Sequence, residues 1–131
     1  MIEAAYKADC DCVKFQSWTA ETLYSKSYYI ENPIAKRFVN KFSLSPEDLK
    51  ELSVFSQDLG IDFASTPYSI KEAEFLIEKC NVPYIKIASM ELNNLPYLKE
   101  LGALNVPLVL STGMGTWSEI KEAVNIILST G

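Results

Sequence analysis

Two lysines interrupt apolar runs of the sequence and are candidates for binding one anion. Lys14 lies in the run 12–16 (CVKFQ), and Lys86 lies in the run 84–89 (YIKIAS). Lysine is seldom fully buried unless an opposite charge offsets its lost hydration. Two ammonium groups placed this way, each just ahead of a polar strand end, therefore point to a shared anionic ligand.

Hydroxyl residues end two further apolar runs, at 61–67 (IDFASTP) and 106–114 (VPLVLSTGM). Residues such as Thr66 and Ser111 offer O–H donors, and the backbone there offers N–H donors, to phosphate or carboxylate oxygens. The same residues also fit helix caps, which is the more common role when each motif is taken alone. Strands that end in Lys, Gln, Ser and Thr together predict one rim of a ligand site.

The elements that must position these residues repeat a strand-then-helix order. The pattern predicts strands at 12–16, 61–66, 84–88 and 107–111, and helices at 46–59, 69–80, 94–104 and 117–128. Ser45 and the pair 93–94 (NN) are predicted helix caps. The repeated order indicates a parallel sheet with helical crossovers.

The fold class that we predict is α/β, as part of a (β/α)8 TIM barrel. A barrel is favoured over a doubly wound sheet because polar residues end every strand and no GxGxxG turn follows one. Four units are half of a barrel, which typically has about 250 residues. The 131 residues are thus expected to be a fragment, or a chain that dimerises to close its sheet.

The segment 17–44 is a long polar and aromatic connection in which we predict one short helix at 34–41. Long connections in compact domains are usually functional. Tyr28 and Tyr29 could line a sugar pocket, although packing beneath the connection is the more common role. Phe55 and the segment 126–128 are predicted core.

Composition excludes several classes of function. A net charge of −5 without a basic cluster argues against nucleic acid or an anionic membrane as partner. The chain contains no histidine, which excludes His-based triads and the commonest metal ligand. The sequence has no bilayer-length apolar stretch and no signal-peptide order at its N-terminus, so we expect a cytoplasmic protein.

Side chains alternate along a strand, so Lys14 and Gln16 share one face of theirs. In a barrel both would point into the lumen near its top, whereas in a half-exposed strand both would simply contact water. Ser89 and Glu91 follow Lys86 directly. Glu91 could orient a water or accept its proton, or it could be a solvated residue at the start of the next helix.

Four motifs, taken in order, resemble the N-acetylneuraminate (sialic acid) synthase family, which includes the legionaminic and pseudaminic acid synthases. They are 13–16 (VKFQ), 65–68 (STPY), 84–91 (YIKIASME) and 110–114 (LSTGM). The resemblance covers the chain except for the connection at 17–44. One motif would be weak support, whereas four in the right order at the right spacing are specific.

The resemblance implies a barrel enzyme that condenses phosphoenolpyruvate with an N-acetylmannosamine-type sugar, giving a nine-carbon 2-keto acid and phosphate. By position, the phosphoenolpyruvate carboxylate and phosphate would be held by Lys14, Thr66, Lys86, Ser89 and Ser111. Gln16 would contact the sugar. Lys86 and Glu91 would be catalytic, with Glu91 positioning or deprotonating the water that attacks the oxocarbenium carbon.

The resemblance also implies parts that lie outside this chain. A divalent metal, Mn²⁺ or Mg²⁺, would activate the sugar aldehyde and be held by two histidines from later strands. Family members carry a C-terminal antifreeze-like domain and form homodimers. Residues 1–131 would then be a partial barrel domain with strands two to five, and would be inactive alone.

Three other interpretations stay open at the level of sequence. A phosphoenolpyruvate-dependent synthase of the octulosonate or heptulosonate phosphate type would need extra basic residues for a second phosphate, and only Lys36 and Arg37 stand nearby. A non-catalytic α/β module could bind an anion without chemistry. A half barrel could also pair with its own copy through open strand edges.

Overall fold

A computed structural model of the protein describes residues 1–130, which form a four-stranded parallel sheet with helices. The strands are β1 (Cys12–Ser17), β2 (Asp62–Pro67), β3 (Ile85–Ile87) and β4 (Leu108–Leu110), and they lie side by side in that order. The helices are α1 (Ile2–Lys7), α2 (Ala20–Leu23), α3 (Lys26–Glu31), α4 (Pro33–Phe42), α5 (Pro46–Leu59), α6 (Ile70–Cys80), α7 (Leu95–Gly102) and α8 (Trp117–Leu128), and a 3-10 turn spans Ser89–Glu91. A spatial order equal to the chain order is that of a barrel wall, whereas a doubly wound sheet reverses at a switch point.

Helix α5 shows how local sequence sets these elements. The Ser45 hydroxyl accepts a hydrogen bond from the Asp48 backbone N–H at 3.0 Å, and the Asp48 carboxylate accepts from the Ser45 N–H at 3.0 Å. Gly60 ends the helix with φ of 81°, a left-handed conformation that other L-residues adopt only with strain. The chain therefore turns sharply from α5 into β2.

One apolar core joins the sheet to its helices. Phe63, Leu76, Ile85, Leu98 and Leu101 are each at most 2% exposed, and their burial is the main stabilising term of this fold. None of the helices within residues 1–130 is both long enough and apolar enough to cross a membrane.

Two residues predicted as core lie at the surface instead. Phe55 is 43% exposed and lines a surface groove of α5 with Leu44 and Leu52, and Leu128 is 69% exposed. Leu128 is five positions beyond the buried Ala123, which places it on another side of α8. The prediction of core for these two apolar residues is wrong, because each lies off the buried stripe of its helix.

The connection between β1 and α5 contains more structure than predicted. The expected helix at 34–41 is present as α4, but α2 and α3 precede it. Tyr29 packs with Ala20 and Val39 in a small second core, while Tyr28 is 40% exposed. The short helices were missed because four and six residues are too few for a clear apolar period.

Close packing of α7 against α8 makes Gly102 a sensitive position. A Cβ added there would lie 2.7 Å from the Ile127 carbonyl oxygen and would also clash with the Thr130 hydroxyl. We expect Gly102→Ala to lower the free energy of unfolding by about 1–3 kcal/mol, as overpacking does. Chemical denaturation measures this directly.

Gly113→Ala is the matched control for that substitution. A Cβ at Gly113 would make only an ordinary contact, 3.5 Å from the Ser89 side chain. We expect its effect on the free energy of unfolding to stay within about 0.5 kcal/mol. A loss in Gly102→Ala as small as the one expected for Gly113→Ala would show that the packing between α7 and α8 is looser than described.

Candidate active site

Four of the predicted site residues share the face of the sheet that lies opposite the helices. The residues next to Lys14 and Gln16 along β1 pack into or against the core, so Lys14 and Gln16 project from the other face of the sheet. The parallel register pairs Gln16 with Thr66. Between β2 and β3 it pairs Ser65 with Ile85, and the residues that follow these two are Thr66 and Lys86. Three adjacent strands thus present their polar residues together.

Lys86 is fixed between β3 and β4. Its Nζ donates hydrogen bonds to the Ser111 hydroxyl and to the Ile87 carbonyl oxygen, the latter at 2.6 Å. Lys86 is half-buried, whereas Lys14 is exposed. Only one of the two ammonium groups is therefore partly removed from water, because β1 is an edge strand of the described sheet.

The two lysines influence each other electrostatically. Burial lowers the pKa of Lys86 below its usual 10.5, and the positive charge of Lys14 lowers that pKa further. Within residues 1–130, no carboxylate lies within 4.0 Å of either ammonium group. Two like charges without a counterion create a region of positive potential, which favours a ligand with several negative charges.

The hydroxyl residues at the strand ends do not cap the helices that follow. Helix α6 is capped by Ser69 and α8 by Thr116, whose hydroxyls accept from the backbone N–H three residues later. The capping alternative is therefore wrong for Thr66 and Ser111. Thr66 is 2% exposed at the end of β2, and Ser111 accepts from Lys86.

Ser89 lies where the ends of β3 and β4 come together. The Ser111 backbone N–H donates to the Ile87 carbonyl at 3.1 Å, which extends the pairing of these strands towards their C-terminal ends. The loop after β4 then approaches Ser89, since a Cβ at Gly113 would be 3.5 Å from the Ser89 Cβ. The structure thus places Ser89 close to the Lys86 and Ser111 pair.

Glu91 ends the 3-10 turn after β3, and its carboxylate is oriented by Asn94. The Asn94 side-chain N–H donates to Glu91 Oε2 at 2.7 Å. Asn94 occupies the N-cap position of α7, as predicted, but its side chain makes no capping hydrogen bond. Burial raises the pKa of Tyr68 and of Tyr97, and the negative charge of Glu91 raises both further. Glu91 therefore lies near enough to both tyrosines to influence them electrostatically.

Tyr68 belongs to this region although its sequence motif assigned it no role. Its hydroxyl accepts a hydrogen bond from Gln16 Nε2 at 3.0 Å, and its ring meets Trp18 edge-on at 6.0 Å. The available signal was its position directly after Pro67, in the same motif as Thr66. A large polar ring at the end of a site-bearing strand can reach across to the neighbouring strand.

The site residues within 1–130 lie on one face of the four-stranded sheet. A cavity of about 270 Å³ lies elsewhere, bordered by α5, α6 and Trp18. Within residues 1–130, no cluster of three or more His, Cys, Asp or Glu could hold a metal ion. The residues present fit an anion and do not fit a metal centre.

Comparison with known proteins shows which family the chain belongs to. The sequence profile of the NeuB family matches residues 1–131, which is its whole length. The chain belongs to the NeuB family. This confirms the resemblance to sialic acid synthases that the four motifs indicated, and it accounts for their order along the sheet.

Named relatives of this NeuB-family chain synthesise sialic-type acids. The N,N'-diacetyllegionaminic acid synthase of Campylobacter jejuni is 35% identical, over 100% of this chain and 42% of that protein. The N-acetylneuraminate-9-phosphate synthase of Drosophila melanogaster is 33% identical, over 100% of this chain and 37% of that protein. The chain thus spans about two fifths of the length of these relatives.

A solved structure confirms the fold of this NeuB-family chain. The crystal structure of N-acetylneuraminic acid synthetase from Leptospira borgpetersenii, in complex with citrate, matches with a TM-score of 0.87 at 28% identity. The match covers 99% of this chain and 44% of that one. The prediction of an α/β fold that supplies about half of a (β/α)8 barrel is confirmed.

Proposed function

We propose that the full-length protein condenses phosphoenolpyruvate with an N-acetylated amino sugar of the mannosamine type, forming a 2-keto sugar acid and phosphate. The observation that carries this proposal is the pair of lysines, Lys14 and Lys86, which share a sheet face without a neighbouring counterion. Membership of the NeuB family supports the chemistry. Phosphoenolpyruvate has carboxylate and phosphate groups that match this positive face.

The binding step follows from charge and donor geometry. Lys86 and Lys14 would neutralise the carboxylate and phosphate, while the hydroxyls of Thr66, Ser89 and Ser111 donate hydrogen bonds to their oxygens. Bonds between an ionised donor and an oxyanion are roughly twice as strong as neutral ones. Because Ser111 already holds Lys86 in place, little reorganisation is needed when the anion arrives.

The chemical step would place Glu91 beside the reacting carbon. The C2=C3 electron pair of phosphoenolpyruvate would form a bond from C3 to the sugar aldehyde carbon, whose C=O pair moves to the oxygen and takes up a proton, which leaves positive charge at C2. Water would add to C2 and transfer one proton to the Glu91 carboxylate. The C2–O bond to phosphate would then break as phosphate leaves, and the remaining C2 hydroxyl would lose its proton to give the ketone. Asn94 orients Glu91 through the 2.7 Å hydrogen bond, which leaves the other carboxylate oxygen available for water.

The metal in this proposal, Mn²⁺ or Mg²⁺, would take its ligands from residues outside this chain. A divalent ion would supply Lewis-acid activation of the sugar aldehyde. We also propose that the full-length protein acts as a cytoplasmic homodimer. The acceptor sugar contacts Gln16 in this proposal, on the same face as the two lysines.

The test of the proposed function is phosphate release by the full-length protein. We expect phosphate to appear from phosphoenolpyruvate only when a mannosamine-type sugar and Mn²⁺ are both supplied. Release that requires a sugar phosphate instead would contradict the acceptor class. Binding of phosphoenolpyruvate without turnover of any sugar would identify an anion-binding module.

The lowered pKa of Lys86 predicts how binding depends on pH. Its ammonium form attracts the anion, so affinity for phosphoenolpyruvate should fall as pH rises through a pKa that lies below 10.5. Calorimetric titrations from neutral pH up to 10.5 measure this dependence. Lys86→Met should remove the alkaline loss, and an equally steep loss in that variant would assign the effect to another group.

A further inference from the structure

A chain of hydrogen bonds joins helix α2 to the side chain of Gln16. The Thr22 hydroxyl donates to Oε1 of Glu72 at 2.8 Å, and the Tyr68 backbone N–H donates to Oε2 of the same carboxylate at 2.8 Å. The Tyr68 hydroxyl in turn accepts from Gln16 Nε2 at 3.0 Å. Residues from β1, α2 and the start of α6 are thus linked in one series.

Glu72 makes contacts that helix capping does not explain. It is the third residue of α6, where a glutamate usually returns to the N-cap N–H. The Ser69 hydroxyl accepts from the Glu72 backbone N–H, as an N-cap residue usually does. The Glu72 carboxylate, however, does not return to the Ser69 N–H and accepts from Tyr68 and Thr22. Both carboxylate oxygens are therefore committed to holding α2 and the end of β2 together.

Thr22 connects this carboxylate to the long connection between β1 and α5. Its hydroxyl oxygen accepts from the Thr19 backbone N–H at 2.8 Å while its proton goes to Glu72. The same hydroxyl thus orders the start of α2 and anchors it to α6. Movement of this part of the connection would be transmitted to Tyr68 through one carboxylate.

Tyr68 determines which end of the Gln16 amide faces the ligand. An amide has one acceptor oxygen and one NH₂ donor group. Because Nε2 donates to Tyr68, Oε1 remains as the acceptor on the exposed part of the side chain. Trp18 packs edge-on against the Tyr68 ring at 6.0 Å, which limits rotation of the ring.

We propose that Tyr68 and Glu72 are positioning residues that orient the Gln16 amide towards a hydroxyl or amide N–H of the acceptor sugar. This inference rests on the proposed function, because Gln16 contacts a sugar only if the protein binds one. Neither residue touches the reacting atoms. Their effect reaches the substrate through Gln16, so it concerns the sugar and not phosphoenolpyruvate.

The test is steady-state kinetics of the full-length protein with isosteric variants. Tyr68→Phe and Glu72→Gln should each raise KM for the sugar about 3- to 10-fold, the effect of one lost hydrogen bond. KM for phosphoenolpyruvate and kcat should stay within about twofold, whereas a merely structural defect would change all three. Tyr6→Phe and Glu74→Gln, both at exposed positions, should leave all three unchanged.

Two further outcomes decide the inference. If the residues act in one series, the double variant should raise KM for the sugar by less than the product of the single effects. Thr22→Val provides a second variant, with a smaller increase expected, should Glu72→Gln fold poorly. An active wild type whose sugar KM is unaffected by Tyr68→Phe overturns the inference alone, whereas a wild type inactive with every sugar overturns the proposed function as well.

Discussion

Replacing Lys86 with methionine is expected to lower kcat/KM for phosphoenolpyruvate by about 10²- to 10³-fold, the range for loss of one preorganised electrostatic donor. Methionine keeps most of the apolar length of the side chain, so the core beside β3 should remain packed. The lost group is the ammonium that Ser111 and the Ile87 carbonyl hold in place. Initial rates at varied phosphoenolpyruvate concentration measure the change.

Lys99→Met is the matched control for Lys86→Met. Lys99 is an exposed residue in the last turn of α7, so its replacement removes the same charge from a place without a role in the proposed site. We expect kcat/KM to stay within about twofold, because a remote surface charge is largely screened. Equal losses in the two variants would mean that net charge, and not the position of Lys86, governs activity.

Glu91→Gln should lower kcat by about 10²- to 10⁴-fold, the usual contribution of a general base. Glutamine has the same shape and can still accept the bond from Asn94, so the turn after β3 should persist. Affinity for phosphoenolpyruvate should be unchanged or tighter, since a negative charge near a polyanion is removed. Single-turnover kinetics combined with calorimetry separates these two quantities.

Glu100→Gln serves as the control, because Glu100 is exposed on α7. Its kcat should match that of the wild type. Weakened phosphoenolpyruvate binding with normal kcat in Glu91→Gln would contradict the assignment and would make Glu91 a structural residue of the turn.

Sequence patterns predicted the sheet well because parallel strands have a strong signature. The apolar runs around Val13, Phe63 and Leu108 are strands in the structure, and α8 spans the predicted residues 117–128. Alternation along β1 also placed Lys14 and Gln16 on one face. Where a helix is framed by a cap and a glycine, as α5 is by Ser45 and Gly60, its beginning and end follow from local chemistry.

Contacts between distant parts of the chain were beyond the reach of sequence patterns. Nothing in the spacing of Gln16 and Tyr68, which are 52 positions apart, indicates that they bond. The exposure of Lys14 depends on its place in an edge strand, which the run of residues alone does not specify. Glu72 likewise has the pattern of an ordinary helix start, and only the fold brings Thr22 to its carboxylate.

The most direct test of the central claim uses phosphoenolpyruvate labelled with ¹⁸O at the oxygen that bridges carbon and phosphorus. Attack of water at C2, with Glu91 as its base and the lysines holding the anion, breaks the C–O bond. The full-length protein should therefore release phosphate that carries the label, detected by ³¹P NMR in a sugar-dependent reaction. Label retained in the keto acid would show that the P–O bond breaks, and would contradict attack of water at C2 with Glu91 as its base.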